Sequence, residues 1–295
     1  MAIGLFLVLD IALVALALNG NRSPTAAGEL ALESPGLSAV PSESGAPAPT
    51  VAPTAAVPQR LLAAINADVA WRGVVGSCPD GQSELEYTVD GGESWEVVDP
   101  AGTTDANTLV RLVPASSTEA HVVTLDDECS PQLLRTFVAG EAWEDYTSNL
   151  GSYWYVGPAD RANVHSPYGT IPGPCGSVVA VAPRSSSEAL VLCADQALFE
   201  TSDAGAKWST VISVSGAVAI DASNGGYVVA VAAQADCAGV SVVALADGLP
   251  SAAVGCSGDG SPDGQTSLAV ADDDTLWLWA GEHFLRSTDG GETWN

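Results

Sequence analysis

One octapeptide pattern occurs three times in this chain and constrains its fold more than any other feature. The copies share the skeleton Ser/Thr-x-Asp-x-Gly-x-x-Trp and read TVDGGESW (88–95), TSDAGAKW (201–208) and STDGGETW (287–294). An aspartate side chain can bond backbone N–H groups two or so residues on, and glycine supplies a positive φ. The pattern therefore predicts a tight turn between two strands, with the tryptophan starting the second strand and packing into the layer below.

These turn residues resemble the Asp-box (BNR) repeats of sialidase-like, sortilin-like and photosystem II assembly-factor-like β-propellers, in a membrane-anchored bacterial form. In those families the box is a structural fold-back between the last two strands of a blade, away from the central site. The resemblance therefore implies structural roles, and no binding of substrate or metal, for Asp90, Gly92, Trp95, Asp203, Gly205, Trp208, Asp289, Gly291 and Trp294.

A second repeated unit, a short apolar strand followed by a polar turn and another apolar strand, gives the number of blades. Its five copies align on Ile65, Leu112, Val181, Ile220 and Val270, which are 47, 69, 39 and 50 residues apart. These separations lie near the 40 to 50 residues typical of propeller blades. The sequence therefore predicts an all-β propeller of about five four-stranded blades, or six if the chain is truncated.

Two of these five blades lack a complete octapeptide. In the second, RTFVAGEAW and TSNLGSYW compete for its place, and spacing favours the first, because Trp143 follows Leu112 by 31 residues as Trp95 follows Ile65 by 30. The fourth blade has only ALADGLPSAAV, without a tryptophan. The chain ends directly after the last octapeptide, so either residues 59–62 close the ring or the protein continues further.

Six cysteines are even in number and include no C-x-x-C pair, which favours disulfides over zinc or redox motifs. Two pairs each bracket a predicted hairpin, so we expect Cys175 with Cys193 and Cys237 with Cys256. Cys78 then pairs with Cys129 across two neighbouring blades. The second of these bridges is expected to fasten the outer strands of the blade that lacks a tryptophan. Buried free thiols are the alternative.

The ends and the charge of the chain indicate where it acts. Residues 1–18 are almost continuously apolar and are long enough for a membrane anchor or a signal peptide. Residues 19–58 are rich in Ala, Pro and Ser and are expected to form a disordered linker before the propeller, 59–295. This layout predicts a single-pass membrane protein with an extracytoplasmic propeller, or a secreted one if the apolar segment is cleaved. The net charge of −27 argues against nucleic acid as a partner.

No set of residues in the sequence assembles a recognisable catalytic site, so no catalytic, cofactor-binding or metal-binding residue is predicted. A sialidase needs three arginines, a Tyr/Glu pair and an acid at the propeller centre, and only nine basic residues are available. His121, His165 and His283 stand alone without a partner at metal-ligand spacing. The leading hypothesis is a monomeric, non-enzymatic binding module for a protein or a cell-envelope glycan. The alternatives are a sialidase-like glycoside hydrolase and an assembly or stability factor for a membrane complex.

One segment departs from the repeat and is the candidate recognition surface. Residues 144–174 form an insertion of about 30 residues that holds four of the six tyrosines, and aromatic and arginine side chains are common at interfaces. The alternative is that these rings pack the insertion against the side of the propeller. Turn-forming residues flank Trp154 and Tyr155, so their rings are expected to project from the surface. The predicted ligand-binding residues are Trp154, Tyr155, Arg161, His165 and Tyr168.

Overall fold

The computed structural model describes residues 54–258 and 264–295, which form six antiparallel sheets around a common axis. We number the sheets as blades 1 to 6. Blade 1 contains β1 (Arg60–Ala64), β2 (Ala70–Val74), β3 (Glu84–Thr88) and β4 (Glu96–Val98), blade 2 contains β5 (Thr108–Pro114), β6 (Ala120–Leu125), β7 (Pro131–Thr136) and β8 (Glu144–Asp145), and blade 3 contains β9 (Tyr155–Gly157), β10 (Asp160–Ser166) and β11 (Gly169–Pro172).

The remaining blades follow in chain order. Blade 4 contains β12 (Val178–Pro183), β13 (Ala189–Cys193), β14 (Ala197–Thr201) and β15 (Ser209–Ser213), blade 5 contains β16 (Ala217–Ser223), β17 (Gly226–Gln234), β18 (Cys237–Ala246) and β19 (Leu249–Pro250), and blade 6 contains β20 (Thr266–Val270), β21 (Leu276–Ala280) and β22 (His283–Ser287). Two short 3-10 helices, Pro100–Gly102 and Thr147–Ser152, are the helical elements of the described residues.

The apolar core is divided among the interfaces between blades. Each of the six interfaces contains one cluster of buried side chains, from Leu85 and Trp143 between blades 1 and 2 to Leu62 and Trp277 between blades 6 and 1. The first strand of blade 1, β1, packs beside the first strand of blade 6, β20, and this contact closes the ring. The fold is therefore the predicted β-propeller, but it has six blades where the hairpin repeat counted five.

The additional blade is the segment that the sequence indicated as an insertion. Its strands β9, β10 and β11 resemble the second, third and fourth strands of the other blades. Ile171 of β11 packs against Gly205 of blade 4, as Val98 of β4 packs against Gly140 of blade 2. Blade 3 therefore has no strand equivalent to the apolar first strand on which the blades were counted, and β9 lies between β5 and β12 instead.

Residues 60–62 take part in ring closure, but not as an outer strand of the last blade. Arg60–Ala64 is the first strand of blade 1, so it does not supply an outer strand to blade 6. The Arg72 guanidinium of blade 1 instead lies over the Trp95 ring at 4.1 Å and over the Trp279 ring of blade 6 at 5.2 Å. Asn295 exchanges two backbone hydrogen bonds with Arg286 of β22, both 2.9 Å, so antiparallel pairing on the outer side of blade 6 begins there.

The three complete octapeptides share one hydrogen-bond pattern. In each, the Ser/Thr hydroxyl donates to the aspartate carboxylate and accepts the N–H of the glycine four residues on, with Gly205 N to Thr201 Oγ1 at 2.8 Å as an example. RTFVAGEAW repeats part of the pattern, since the Thr136 hydroxyl accepts the N–H groups of Val138 and Gly140. The turn of blade 2 is therefore the segment that spacing favoured.

All three disulfides pair as predicted, Cys78 with Cys129, Cys175 with Cys193 and Cys237 with Cys256, and the described residues include no free cysteine. The first joins the β2–β3 loop of blade 1 to the β6–β7 loop of blade 2. The last fastens the segment after β19 to β18, where Val242 and Val254 also exchange backbone hydrogen bonds. It ties the outer part of blade 5 together, as expected for the blade without a tryptophan.

The predicted membrane segment and most of the predicted linker lie outside the described residues. Within the described ranges, no helix is long and apolar enough to cross a membrane. Residues 54–58, at the end of the predicted linker, are described and form no strand. Ala55 is buried against blades 4 and 5, and its N–H donates to the carbonyl of Ala194 at 2.7 Å.

Candidate functional site

The first strands of the blades surround a central channel of about 270 Å³ on the propeller axis. Most of its lining is aliphatic, as expected for strands that also face the blade interfaces. The ionisable side chains on its wall, within the described residues, are Arg60, Arg111, Arg161, Tyr155 and Asp221. Three of the nine basic residues in a chain of net charge −27 therefore lie around one cavity.

Arg111 lies deepest in this wall, on the first strand of blade 2. Because blade 3 lacks a first strand, the Arg111 side chain reaches blade 4, where Nη1 donates to the Val181 carbonyl at 3.4 Å. No carboxylate of the described residues lies within salt-bridge distance of it. Burial lowers the pKa of Arg111, and the more distant Asp221 carboxylate partly offsets that effect. The guanidinium thus keeps most of its five N–H donors for another acceptor.

Arg161 and Arg60 lie nearer the end of the channel where the first strands begin. Arg161 Nη1 donates to the carbonyls of Val178 and Val179, both at 3.2 Å, and burial lowers its pKa. The Arg60 guanidinium lies 4.3 Å from the centre of the Trp279 ring and donates to the Gly281 carbonyl. Backbone carbonyls of neighbouring blades therefore hold both arginines in place without neutralising them.

Asp221 is the one carboxylate on the described channel wall. Its two oxygens accept the N–H groups of Val270 in blade 6 and of Ala222, both at 2.8 Å, so it links the first strands of two blades. Burial raises the pKa of Asp221 to about 6, although these backbone donors and Arg111 act in the opposite direction. At neutral pH the described wall carries three positive charges and one negative charge.

The chemistry available in the channel is the binding of a negatively charged group. Guanidinium groups donate planar, charge-assisted hydrogen bonds that suit carboxylates. Glycoside hydrolysis by the common mechanisms needs two carboxyl groups, and the described wall supplies only that of Asp221, which already accepts two backbone donors. Among the described residues there is also no cluster of three or more metal-ligating side chains.

Two of the five predicted ligand-binding residues face this channel. Tyr155 and Arg161 are both part of its wall. His165 stacks behind Tyr155, with ring centres 4.1 Å apart, and bonds the Thr170 hydroxyl at 2.9 Å. Tyr168 does not join them and is 74% exposed. The predicted set is therefore divided between the channel and the outer surface.

The expectation that the rings of Trp154 and Tyr155 project from the surface is wrong. They are 4% and 5% exposed, because blade 3 packs them into its interfaces with blades 4 and 2. The indole N–H of Trp154 donates to the Ser185 carbonyl of blade 4 at 3.0 Å. Trp154 therefore packs against the propeller, as the alternative interpretation of this segment predicted.

Sequence reasoning missed Arg60, Arg111 and Asp221. Each lies within or beside a predicted apolar strand that lines the axis. A charged residue at a position where the other blades have aliphatic side chains was the signal that could have identified them. His121 was taken as isolated, but Tyr153 contacts its Nδ1, and its Nε2 lies 3.4 Å from the Glu119 carboxylate. Tyr153 is distant from His121 in the sequence, and Glu119 belongs to no recognised motif, so residue spacing did not reveal either contact.

No protein-family model and no curated protein match this sequence. Solved structures do. A mutant of the Aleuria aurantia lectin in complex with Fucα1-6GlcNAc is 11% identical, with a TM-score of 0.50, and the match covers 82% of this chain and 96% of the lectin. YCF48 bound to a D1 peptide is 18% identical, with a TM-score of 0.29 and coverage of 84% and 68%. Trypanosoma rangeli sialidase is 10% identical, with a TM-score of 0.43 and coverage of 80% and 54%. At these identities the likeness concerns the β-propeller fold alone.

Proposed function

We propose that this chain is a non-enzymatic binding module that takes an anionic group of a protein or cell-envelope ligand into its central channel. The observation that carries the proposal is Arg111, a guanidinium within the wall whose only described hydrogen bond is a long one to a carbonyl. A buried charge without a close counter-ion is costly to a fold unless something pairs with it. A carboxylate that enters the channel would supply that partner.

The setting we propose is extracytoplasmic, with the propeller tethered through residues 1–18 and a linker. Three disulfides support an oxidising compartment, because such bridges rarely persist in the cytosol. The octapeptide turns support a structural role for Asp90, Asp203 and Asp289, since their carboxylates accept hydrogen bonds from their own turns. The competing functions are a sialidase-like hydrolase, to which the three channel arginines lend some support, and an assembly factor for a membrane complex.

Titration of the propeller with small carboxylates tests the proposal. The probes are glucuronate and an N-acetylated dipeptide with a free carboxyl end, and glucose and the amidated dipeptide are the neutral counterparts. We expect the charged member of at least one pair to bind, and Arg111→Gln to weaken that binding about 10- to 100-fold, the range for hydrogen bonds to charged groups. Lys207→Gln is the control, because Lys207 is an exposed cation that lies outside the channel.

Two results would contradict this function. Equal binding by wild type and Arg111→Gln, with unchanged melting temperatures, would remove the channel as the site. Turnover of a fluorogenic glycoside that is abolished by Asp221→Asn would show an enzyme instead. A pull-down from the native envelope with residues 54–295 then identifies the ligand, with Arg111→Gln as the bait for comparison.

A further inference from the structure

The interface between blades 4 and 5 differs from four other interfaces of the ring, in each of which a tryptophan from a turn packs against the preceding blade. Four blades have a tryptophan at the end of the turn, and each of these tryptophans contacts the preceding blade: Trp95 meets Phe284, Trp143 meets Trp71, Trp208 donates to the Pro172 carbonyl, and Trp294 packs in the cluster shared with blade 5. Blade 5, like blade 3, has no such tryptophan. Its turn, Asp247–Gly248, leads directly into β19.

A pocket of about 160 Å³ lies beside this shortened turn. Gly248 approaches Val211 of blade 4, so that a Cβ on it would lie 3.7 Å from Val211 Cγ1. Gly205 of blade 4 approaches Ile171 of blade 3 in the same manner. The pocket is thus located on the side of the turn where the other blades place an indole ring. Its wall has Arg184 and Glu200 from blade 4, and Tyr227 from blade 5.

Tyr227 makes this pocket more than a packing defect. The side chain is 4% exposed, and its hydroxyl has no hydrogen-bond partner among the described residues. A buried hydroxyl without a partner is unfavourable to the fold, and among the unpartnered atoms of the described residues this one belongs to a side chain that lines a pocket. Burial and the nearby Glu200 carboxylate raise the pKa of Tyr227, which keeps the hydroxyl protonated and able to donate.

The other polar groups around the pocket are also free of strong partners. Arg184 lies with its guanidinium carbon 5.7 Å from the centre of the Tyr227 ring. Neither Arg184 nor Glu200 takes part in a salt bridge within the described ranges. The Arg184 guanidinium, the Glu200 carboxylate and the Tyr227 side chain therefore line one cavity.

The charge around the pocket selects a neutral ligand. One guanidinium is opposed by the carboxylates of Glu200 and Asp247 in the wall, and Glu188 is close enough to act on Tyr227. The excess of negative charge would repel an anion, and the Arg184 guanidinium would repel a cation. A compact molecule that both donates and accepts hydrogen bonds fits all three groups.

We infer that the pocket between blades 4 and 5 binds a neutral sugar ring in the place where other blades have a tryptophan. Sugar hydroxyls pair with the Tyr227 hydroxyl, donate to Glu200 and accept from Arg184. This site is separate from the central channel. It binds the uncharged hydroxyl groups of a ligand, whereas the channel binds a negatively charged group.

Saturation-transfer NMR and calorimetric titration with methyl glycosides of galactose, mannose and N-acetylglucosamine test this inference on residues 54–295. We expect at least one of them to bind, and glucuronate not to bind at this pocket. Tyr227→Phe should weaken binding about 3- to 10-fold, the effect of one neutral hydrogen bond, and Glu200→Gln about 10-fold or more. Tyr227→Phe should melt at the wild-type temperature or above, because it removes an unpaired buried hydroxyl.

Arg111→Gln is the control and should leave sugar binding unchanged, so failure of this site and failure of the channel site are distinguishable. The inference is overturned if none of the glycosides binds, or if Tyr227→Phe and Glu200→Gln bind as wild type does. It is also overturned if sugar binding is lost with Arg111→Gln and retained with Glu200→Gln.

Discussion

The hydroxyl of Thr201 makes three hydrogen bonds within one turn. It donates to Asp203 Oδ1 at 2.9 Å and accepts the N–H groups of Asp203 and Gly205 at 3.3 and 2.8 Å. Thr201 is 2% exposed, so water cannot replace these bonds. In the first turn, hydrogen bonds from the Ser94 hydroxyl, from the Ser94 N–H and from the hydroxyl of Thr88, the counterpart of Thr201, lower the pKa of Asp90 to about 2. The Ser/Thr that opens the pattern is therefore the residue that holds the turn together.

Replacement of Thr201 by valine tests this role. Valine keeps the shape but leaves the buried Gly205 N–H without an acceptor, so we expect the free energy of unfolding to fall by about 1 to 3 kcal/mol in urea denaturation. Thr210→Val, on the exposed face of the next strand, is the control and should change it by less than about 0.5 kcal/mol. Equal stability of the two variants would contradict a structural role for the hydroxyl.

At the scale of elements, blade 3 shows how much of the fold the sequence could predict. The octapeptides predicted the turns, and the cysteine spacings predicted two of the bridges, because both are local patterns; Cys78 and Cys129 followed as the remaining pair. Blade 3 has neither a complete octapeptide nor an apolar first strand, so its strands were interpreted as an insertion. The rings of Trp154 and Tyr155 were expected to be exposed because turn-forming residues flank them, whereas contacts with two neighbouring blades bury them.

Trp154 is the residue on which blade 3 depends. Trp154→Ala should lower the free energy of unfolding by about 3 kcal/mol or more, because it removes a buried indole and leaves a cavity against blade 4. Tyr168→Ala in the same blade is the control, since that ring is 74% exposed. Chemical denaturation followed by tryptophan fluorescence measures both. Wild-type stability of Trp154→Ala would show that the ring does not support the interface.

At the scale of the whole molecule, the functional residues depend on closure of the ring. Arg60, Arg111 and Arg161 come from blades 1, 2 and 3, and Asp221 comes from blade 5. Nothing in their sequence spacing indicates that they meet, because their convergence requires all the blades to be arranged around one axis. The candidate site was therefore not predictable from motifs, although a propeller centre was a predictable location.

The Asp221 carboxyl makes stability depend on pH. Its pKa of about 6 in the folded protein lies above the unfolded value of 3.8, so the folded state holds the proton more tightly between these values. The contribution of Asp221 to the free energy of unfolding should therefore be complete below about pH 4 and decline as pH rises through 6. We expect wild type to gain about 2 kcal/mol relative to Asp221→Asn between pH 7 and pH 4, as measured by urea denaturation.

The same protonation removes the only negative charge of the described channel wall. Carboxylate binding should therefore tighten between pH 7 and pH 5 in wild type, and should change less in Asp221→Asn. The opposite result, weaker binding in wild type at pH 5 with a probe that stays ionised, would show that Asp221 does not lie close enough to the bound anion to act on it.

The three disulfides are unevenly distributed, and this makes one interface of the ring more resistant to opening than the others. Bridges join blade 1 to blade 2, join the chain entering blade 4 to its second strand, and close the outer part of blade 5, while the described part of blade 6 has none. Only the Cys78–Cys129 bridge joins two blades, so the interface between blades 1 and 2 is the one that a disulfide holds closed within the described residues, and the other interfaces are held by packing. Amide hydrogens of β21 should accordingly exchange with solvent through a partial opening that leaves β6, in the cross-linked pair of blades, protected.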